Sequence, residues 1–349
     1  MRSLPWFRSW IAWFRSWIGC LASVAVMLLA AGGAHAGTVF LFEPATGQVL
    51  LAEEPDQAWY PASLTKLMTA YLAFAAVKTG KLAWDAKVPL SEKARGQPAT
   101  RIGLRSGIDI TLEQAVRGLI LRSANDFAMA LAEKIGGTEE GFADLQNAAA
   151  AKLGMTRTHF KNPHGLPDAE QVTTARDLAL LVTAILKEFA DRAEVFSTAE
   201  VRIHKGLFVS QNDLLRTFAG ADGMKTGFTC GAGYNVVASA TRNDRKLVVV
   251  VLGALTRVTR SARATELLQA GFDHIDGKTP LTPIALKDLP MHPTEPAVVH
   301  DMSKTTRTWK CGNRGGEPRP AQLATAAKKK ALGKRAGAPV AAAGVAAPR

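Results

Sequence analysis

Two runs late in the chain restrict its fold more than any other feature. Tyr234-Asn-Val-Val-Ala-Ser-Ala240 and Leu247-Val-Val-Val-Val-Leu-Gly253 are separated only by the polar turn Arg242-Asn-Asp-Arg-Lys246. Valine-rich runs favour extended backbone, and so short a turn makes them antiparallel partners. A second pair is expected near the start, where Val39-Phe-Leu-Phe42 and Gln48-Val-Leu-Leu-Ala52 flank Glu43-Pro-Ala-Thr-Gly47. Between the pairs the pattern is almost wholly helical. The order of strand pair, helices, strand pair and helix implies one antiparallel sheet flanked by helices, with a mostly helical subdomain, an α+β fold.

Leu64, Leu67, Met68, Tyr71, Leu72 and Ala75 recur at three- and four-residue spacing, which predicts a buried helix from just after Pro61 to Gly80. A polar stretch with Gly96, Pro98, Gly103 and Gly107 follows. Thr111-Leu-Glu-Gln114 is a capping box for a helix to about Leu121. After a break at Arg122-Ser-Ala-Asn-Asp126 a second helix runs to Ile135, ahead of Gly136-Gly137. Further helices are expected at 139–153, at 175–189 with Thr174 as N-cap, and at about 261–272.

The chain carries a formal charge of +13, but the excess lies at its ends. Residues 37–301 hold 29 basic and 29 acidic side chains, which argues against a nucleic-acid-binding face on the folded body. Residues 1–36 have the layout of an export signal: Arg2, Arg8 and Arg15, then an apolar run from about Ile18 to Ala31, then the small-x-small site Ala34-His-Ala36. The tandem Trp-Phe-Arg-Ser-Trp-Ile copies at 6 and 13 are read as a duplication within that signal. The apolar run is shorter than the ~20 residues a membrane span needs, so cleavage and export are expected. Residues 37–275 would form one catalytic domain. A Pro-rich extension (276–314) and a disordered basic tail (315–349) would follow. The tail reads as solubilising, with weak attraction to anionic cell-envelope polymers as its functional alternative. In an oxidising compartment Cys230 and Cys311 are expected to pair, pinning the extension to the body.

Three short motifs carry chemistry. Ser63 and Lys66 are three apart, on one face of a first helical turn, so a buried and therefore neutral lysine can take the serine's proton. Ser123-Ala-Asn125 follows, and then Lys225-Thr-Gly227. Lys78-Thr-Gly80 repeats the last motif but only ends a helix. The copy at 225 is expected to open a strand, with Lys225 and Gly227 on one face and Thr226 on the other. Gly227 would there let a substrate backbone approach the strand edge. Together the three resemble the Ser-x-x-Lys, Ser-Asp-Asn and Lys-Thr-Gly signature of penicillin-binding proteins and class A β-lactamases, with Ala124 where that signature has Asp. The seven histidines show no metal-binding spacing, and no cofactor is expected.

The residues around these motifs extend the match. Pro61 to Thr69, Leu121-Arg-Ser-Ala-Asn-Asp126, His164-Gly-Leu166, Thr174-Ala-Arg-Asp-Leu178, Asp222 to Thr229 and Ala232-Gly-Tyr-Asn235 resemble the low-molecular-mass penicillin-binding proteins. More narrowly, the chain is similar to the serine D-alanyl-D-alanine carboxypeptidases related to penicillin-binding protein 5, over roughly 38–275. That resemblance implies a DD-peptidase fold and peptidoglycan stem peptides and β-lactams as ligands, and with the export signal it points to the periplasm or the extracytoplasmic face of a bacterial cell. It implies Ser63 as nucleophile, Lys66 as base and Ser123 as proton relay. It also implies backbone N–H groups of Ser63 and Phe228 as oxyanion hole. Asn125 would hold the peptide, Gly227 would line the strand edge, and Lys225, Thr226 and Arg260 would bind the terminal carboxylate. Arg257 and Arg263 rival Arg260, and His164 reads as structural. The β-rich second domain and amphipathic anchor of several family members are not expected, because the region after 276 is short and polar. Three alternatives stand beside this reading: a DD-endopeptidase, a β-lactamase using Glu170, and a non-catalytic binder of cell wall or penicillin-like ligands.

Overall fold

A computed structural model describes residues 37–98, 100–291 and 298–306. The two strand pairs do enter one sheet. Its strands are β1 (Thr38–Glu43), β2 (Gln48–Glu53), β3 (Ala221–Thr229), β4 (Gly233–Arg242), β5 (Arg245–Ala254) and the short β6 (Ile284–Ala285). Their order is β6-β2-β1-β5-β4-β3, antiparallel throughout. β3 therefore forms an edge, where alternate backbone groups are left open to a partner in extended conformation.

The strands are apolar on both faces because both faces are covered. Val39, Leu41, Val236, Val249 and Val251 turn to one side, where they meet Leu267, Leu268 and Phe272 of α6 (Arg257–Ile275). Phe40, Phe42, Val237, Val248 and Val250 turn to the other, toward α1 (Lys66–Lys78), α2 (Leu112–Leu121), α3 (Asn125–Gly136), α4 (Glu139–Lys152) and α5 (Ala175–Glu188). This is the period-two alternation of a strand expressed as two cores rather than one.

Caps set the helix starts. Thr111 forms the expected capping box with Gln114, and Thr174 accepts from the Asp177 N–H at 3.1 Å. α6 begins at Arg257, four residues ahead of expectation, because Thr256 and Thr259 form a reciprocal cap. The helix after Pro61 also differs: Ala62–Thr65 is a 3-10 turn, and α1 proper starts at Lys66. Lys225-Thr-Gly227 lies in the middle of β3 rather than at its opening. A hairpin of Glu200–Ile203 with Gly206–Val209 was not expected.

Residues 284–291 and 298–302 pack back on the body. β6 pairs with β2, the His300 N–H donates to the Ala58 carbonyl at 3.1 Å, and the His300 ring stacks on Trp59 at 4.6 Å. The Met302 N–H donates to the Gly231 carbonyl at 2.8 Å, and its side chain is buried. Buried Asp56 receives both Nε and Nη2 of Arg176, at 2.7 and 2.9 Å, while the same guanidinium donates to the carbonyls of Leu289 and Pro290. Cys230 is disulfide-bonded. Its expected partner Cys311, the expected signal (1–36) and the basic tail (315–349) lie outside the described residues. Among the described residues no helix is long and apolar enough to cross a membrane.

Candidate active site

The three motifs meet in one cleft of about 660 Å³ between β3 and the helical side of the molecule. The 3-10 turn presents Ser63, and the first residue of α1 places Lys66 directly behind it. Lys66 is fully buried, and its Nζ donates to Ser63 Oγ at 3.0 Å, to Asn125 Oδ1 at 2.7 Å and to the His164 carbonyl at 2.5 Å. Three acceptors fix the amine without supplying a countercharge. Burial holds its pKa well below the ordinary lysine value, and the neighbouring Lys225 depresses it further, against an opposing pull from Asp126. To act as base the amine gives up one of these three protons, which its lowered pKa favours, and its lone pair then faces the Ser63 hydroxyl 3.0 Å away.

Lys225 comes from the β3 edge and is also buried. Its Nζ donates to Ser123 Oγ at 3.0 Å and to the Thr226 carbonyl at 2.7 Å. Burial, then the charge of Arg260, brings its pKa down to about 7. Ser123 sits between α2 and α3 with φ +60°, and Ala62, just before the nucleophile, has φ +49°. Side-chain-bearing residues adopt this left-handed region at a cost, so the surrounding structure must hold both turns in place.

Asn125 is clamped from three sides. Its N–H donates to the Thr100 carbonyl at 2.7 Å, its Nδ2 to the Pro98 carbonyl at 3.0 Å, and its Oδ1 faces Lys66. Next to it, buried Asp126 accepts the N–H groups of Ile102 and Gly103, anchoring the glycine-containing loop beside the cleft. Asn235 plays the same part for the nucleophile: its Nδ2 donates to the Tyr60 carbonyl and its Oδ1 accepts from the Gly253 N–H. The sequence had placed Asp126 and Asn235 in motifs without giving them these anchoring contacts. Partners 18 or more residues away leave no local signal.

Two glycines seat the backbone of Ser63. A Cβ on Gly227 would come within 3.1 Å of both the Pro61 carbonyl and the Ser63 nitrogen, and one on Gly165 would overlap the Ala62 carbonyl at 1.8 Å. The nucleophile's own backbone is thus the close neighbour that Gly227 accommodates. Thr226, Phe228 and Arg260 line the cleft with Ser63 and Ser123, and the Phe228 ring rests on Tyr234 at 4.2 Å.

The three candidate arginines separate by position. Arg263 is taken up by Glu53 at 2.9 Å and Glu266 at 3.2 Å, away from the cleft. Arg257 lines the cleft but binds Asp213 through Nε at 2.7 Å. Arg260 is buried, lines the cleft, and is 3.7 Å from the same carboxylate. His164 contributes its carbonyl. Its ring, kept neutral by burial and by Lys66 with a pKa down at about 3, accepts from the Leu166 N–H. Glu170 is exposed and pairs with Lys161 at 3.1 Å, outside the cleft. Among the described residues no group of three His, Cys, Asp or Glu side chains is arranged to hold a metal.

A family model described as D-alanyl-D-alanine carboxypeptidase matches residues 26–256. D-alanyl-D-alanine carboxypeptidase DacC of Escherichia coli K12 is 38% identical over 252 residues, 70% of this chain and 63% of that protein. DacA of Haemophilus influenzae is 36% identical over 247 residues, again covering 63% of the relative. The chain therefore spans a little under two thirds of the length of these curated relatives. Among solved structures, penicillin-binding protein 5 from Haemophilus influenzae superposes with a TM-score of 0.65 at 37% identity, over 67% of this chain and 70% of that one. Penicillin-binding protein D2 from Listeria monocytogenes, in its cefotaxime-bound form, gives 0.62 at 31% identity, over 67% of this chain and 96% of that one.

Proposed function

The chain belongs to the D-alanyl-D-alanine carboxypeptidase family, and from that premise we propose that it is a serine DD-carboxypeptidase that removes the terminal D-alanine from peptidoglycan pentapeptide stems. The observation that carries this reading is the pairing of Ser63 Oγ at 3.0 Å with the buried Lys66 amine, whose pKa burial and Lys225 hold well below the ordinary lysine value.

Ser63 attacks the carbonyl between the two D-alanines while Lys66 Nζ takes its proton. The developing oxyanion is held by the backbone N–H groups of Ser63 and Phe228. Loss of one such donor typically costs on the order of 10²–10³ in rate. The leaving D-alanine nitrogen receives its proton through Ser123, which Lys225 contacts. Lys225, Thr226 and Arg260 bind the terminal carboxylate with charge-assisted hydrogen bonds. Water then attacks the ester carbonyl and Ser63 is regenerated. The same acylation on a β-lactam ring gives a penicilloyl enzyme. Glu170, exposed and engaged by Lys161, is not placed to activate a deacylating water, which disfavours the β-lactamase reading.

Residues 1–36 are proposed as an export signal that delivers the enzyme to the periplasm. The basic tail is proposed as a solubilising segment, with weak contact to anionic envelope polymers as a secondary role. The test is incubation with purified monomeric pentapeptide and crosslinked muropeptides, followed by mass spectrometry. Loss of one alanine from the monomers supports the carboxypeptidase reading. Cleavage of dimers alone would replace it with an endopeptidase.

A further inference from the structure

The carboxypeptidase reading, on which this inference rests, gives the cleft one carboxylate to hold, yet the cleft carries more positive charge than one carboxylate balances. Arg122, Arg216, Arg257 and Arg260 all line it, and among the described residues no aspartate or glutamate lines it with them. Asp213, set behind that lining, is shared by three of the four. Arg216 reaches it at 2.8 Å, Arg257 through Nε at 2.7 Å and Arg260 at 3.7 Å.

Arg122 stands apart from this group. Among the described residues its guanidinium forms no ion pair, and its Nε is buried with no hydrogen-bond acceptor. Arg122 follows the last turn of α2, where a cation suits the helix C-terminus. That accounts for a basic residue at this position, but not for a donor buried at the cleft with nothing to receive it. A buried N–H on a charged group that is left unanswered costs stability, and such groups are rare in folded proteins.

The neighbours of Arg122 show which part of a substrate it serves. It adjoins Ser123, the hydroxyl that passes a proton to the departing nitrogen in the proposed reaction. A group held by Arg122 therefore belongs to the departing residue, whose terminal carboxylate is already assigned to Lys225, Thr226 and Arg260. Gln211 lies beside it, with its N–H donating to the Leu121 carbonyl at 3.2 Å. Gln211 also lines the cleft, and among the described residues its carboxamide makes no hydrogen bond. A guanidinium and a carboxamide together offer several N–H donors, which suit the paired oxygens of a carboxylate.

We propose that Arg122 and Gln211 form a second anion subsite on the leaving side of the cleft, and that it takes a C-terminal D-residue with a carboxylate on its side chain. The two are then specificity residues for the leaving group, separate from the site of the terminal carboxylate. At about 660 Å³ the cleft has the volume of a site for ligands well beyond a dipeptide's methyl groups, so a longer side chain can enter.

The test measures kcat/KM for X-D-Ala-D-Glu and X-D-Ala-D-Gln, with X-D-Ala-D-Ala as reference. X is diacetyl-L-lysine throughout, so the first two donors match in size and differ only in the side-chain charge of the leaving residue. A charge-assisted pair at a half-buried guanidinium predicts about tenfold higher kcat/KM for the D-Glu donor than for the D-Gln donor. The preference should shrink as salt is raised. In Arg122→Gln the ratio of the two should fall to near one, and Arg122→Lys, which keeps the charge without the fork, should recover part of it. Equal kcat/KM for both donors in the unaltered protein would overturn the subsite, as would a preference that survives in Arg122→Gln. The D-Ala donor reports the carboxypeptidase reading separately. If it is hydrolysed while the two longer donors are refused or treated alike, only the subsite fails. If no donor is hydrolysed, both readings fail.

Discussion

Replacing Gly165 by alanine adds a methyl group where the structure has no room for one. The new Cβ would lie 1.8 Å from the Ala62 carbonyl oxygen and 2.9 Å from the Ser63 nitrogen. Both are backbone atoms, so neither can swing aside. Restoring an ordinary van der Waals contact requires the loop and the nucleophile's turn to part by about 1.5 Å. The same loop carries the His164 carbonyl, 2.5 Å from Lys66 Nζ, so the base is disturbed along with the nucleophile. Misplacement of a reacting group by about 1 Å costs on the order of 10² in rate. Gly165 also has φ +86°, and that conformation alone costs alanine about 1–2 kcal/mol. Gly154→Ala separates the two effects: its φ is +76°, but nothing lies within 4 Å of the added Cβ. The assay is the second-order rate of acylation by a fluorescent penicillin, with thermal unfolding of each variant alongside. Gly165→Ala should remain folded and acylate about a hundredfold more slowly, whereas Gly154→Ala should lose stability and keep its acylation rate. Wild-type acylation by folded Gly165→Ala would refute the close-approach argument. An equal loss in Gly154→Ala would do the same.

Three further outcomes follow from charge and burial. Lys225, with a pKa brought down to about 7 by burial and Arg260, is cationic below that pH and loses its charge above it. The KM for a free-carboxylate peptide should therefore climb as pH rises past about 7, and a flat KM between pH 6 and 9 would count against carboxylate binding by this lysine. Asp126 opposes the depression of the Lys66 pKa, so Asp126→Asn should move the acid limb of the acylation profile to lower pH. A shift to higher pH would contradict the assigned electrostatics. Asp56→Ala leaves the Arg176 guanidinium buried without its carboxylate and should cost about 3–5 kcal/mol in urea unfolding. A loss below about 1 kcal/mol would mean that the pair adds little to the fold.

What could be read in the sequence was whatever local chemistry determines. The valine runs of β4 and β5, the capping box at Thr111 and the Thr174 cap are each decided within a few residues, and the structure places them as expected. The 200–209 hairpin was missed because its strands are only four residues long and half-exposed, and Glu200 and Arg202 interrupt the first, so the period-two signal is faint. The start of α6 was misjudged because Thr256 and Thr259 cap through two hydroxyls, a weaker signal than a Thr with Gln or Glu. Lys225-Thr-Gly227 proved to lie within β3, since Asp222 and Gly223, both poor strand formers, already belong to the strand ahead of it. The site divides along the same line. Ser63 and Lys66 share one turn and could be paired by spacing, but the convergence of Asn125, Ser123 and Lys225 upon them is set by the sheet and the helical layer together. Arg257, Arg260 and Arg263 cannot be ranked by spacing. The carboxylates that engage Arg257 and Arg263, Asp213 and Glu53, lie 44 and 210 residues away. Nor does any local pattern announce that Gly165 touches the nucleophile's backbone.

The measurement that bears most directly on the site is the intact mass of the protein after brief exposure to a penicillin, followed by peptide mapping of the adduct. One penicilloyl group should appear, on the peptide carrying Ser63, and Ser63→Ala should acquire none. An adduct on another residue, or undiminished labelling of Ser63→Ala, would mean that the hydroxyl held against the buried Lys66 amine is not the nucleophile.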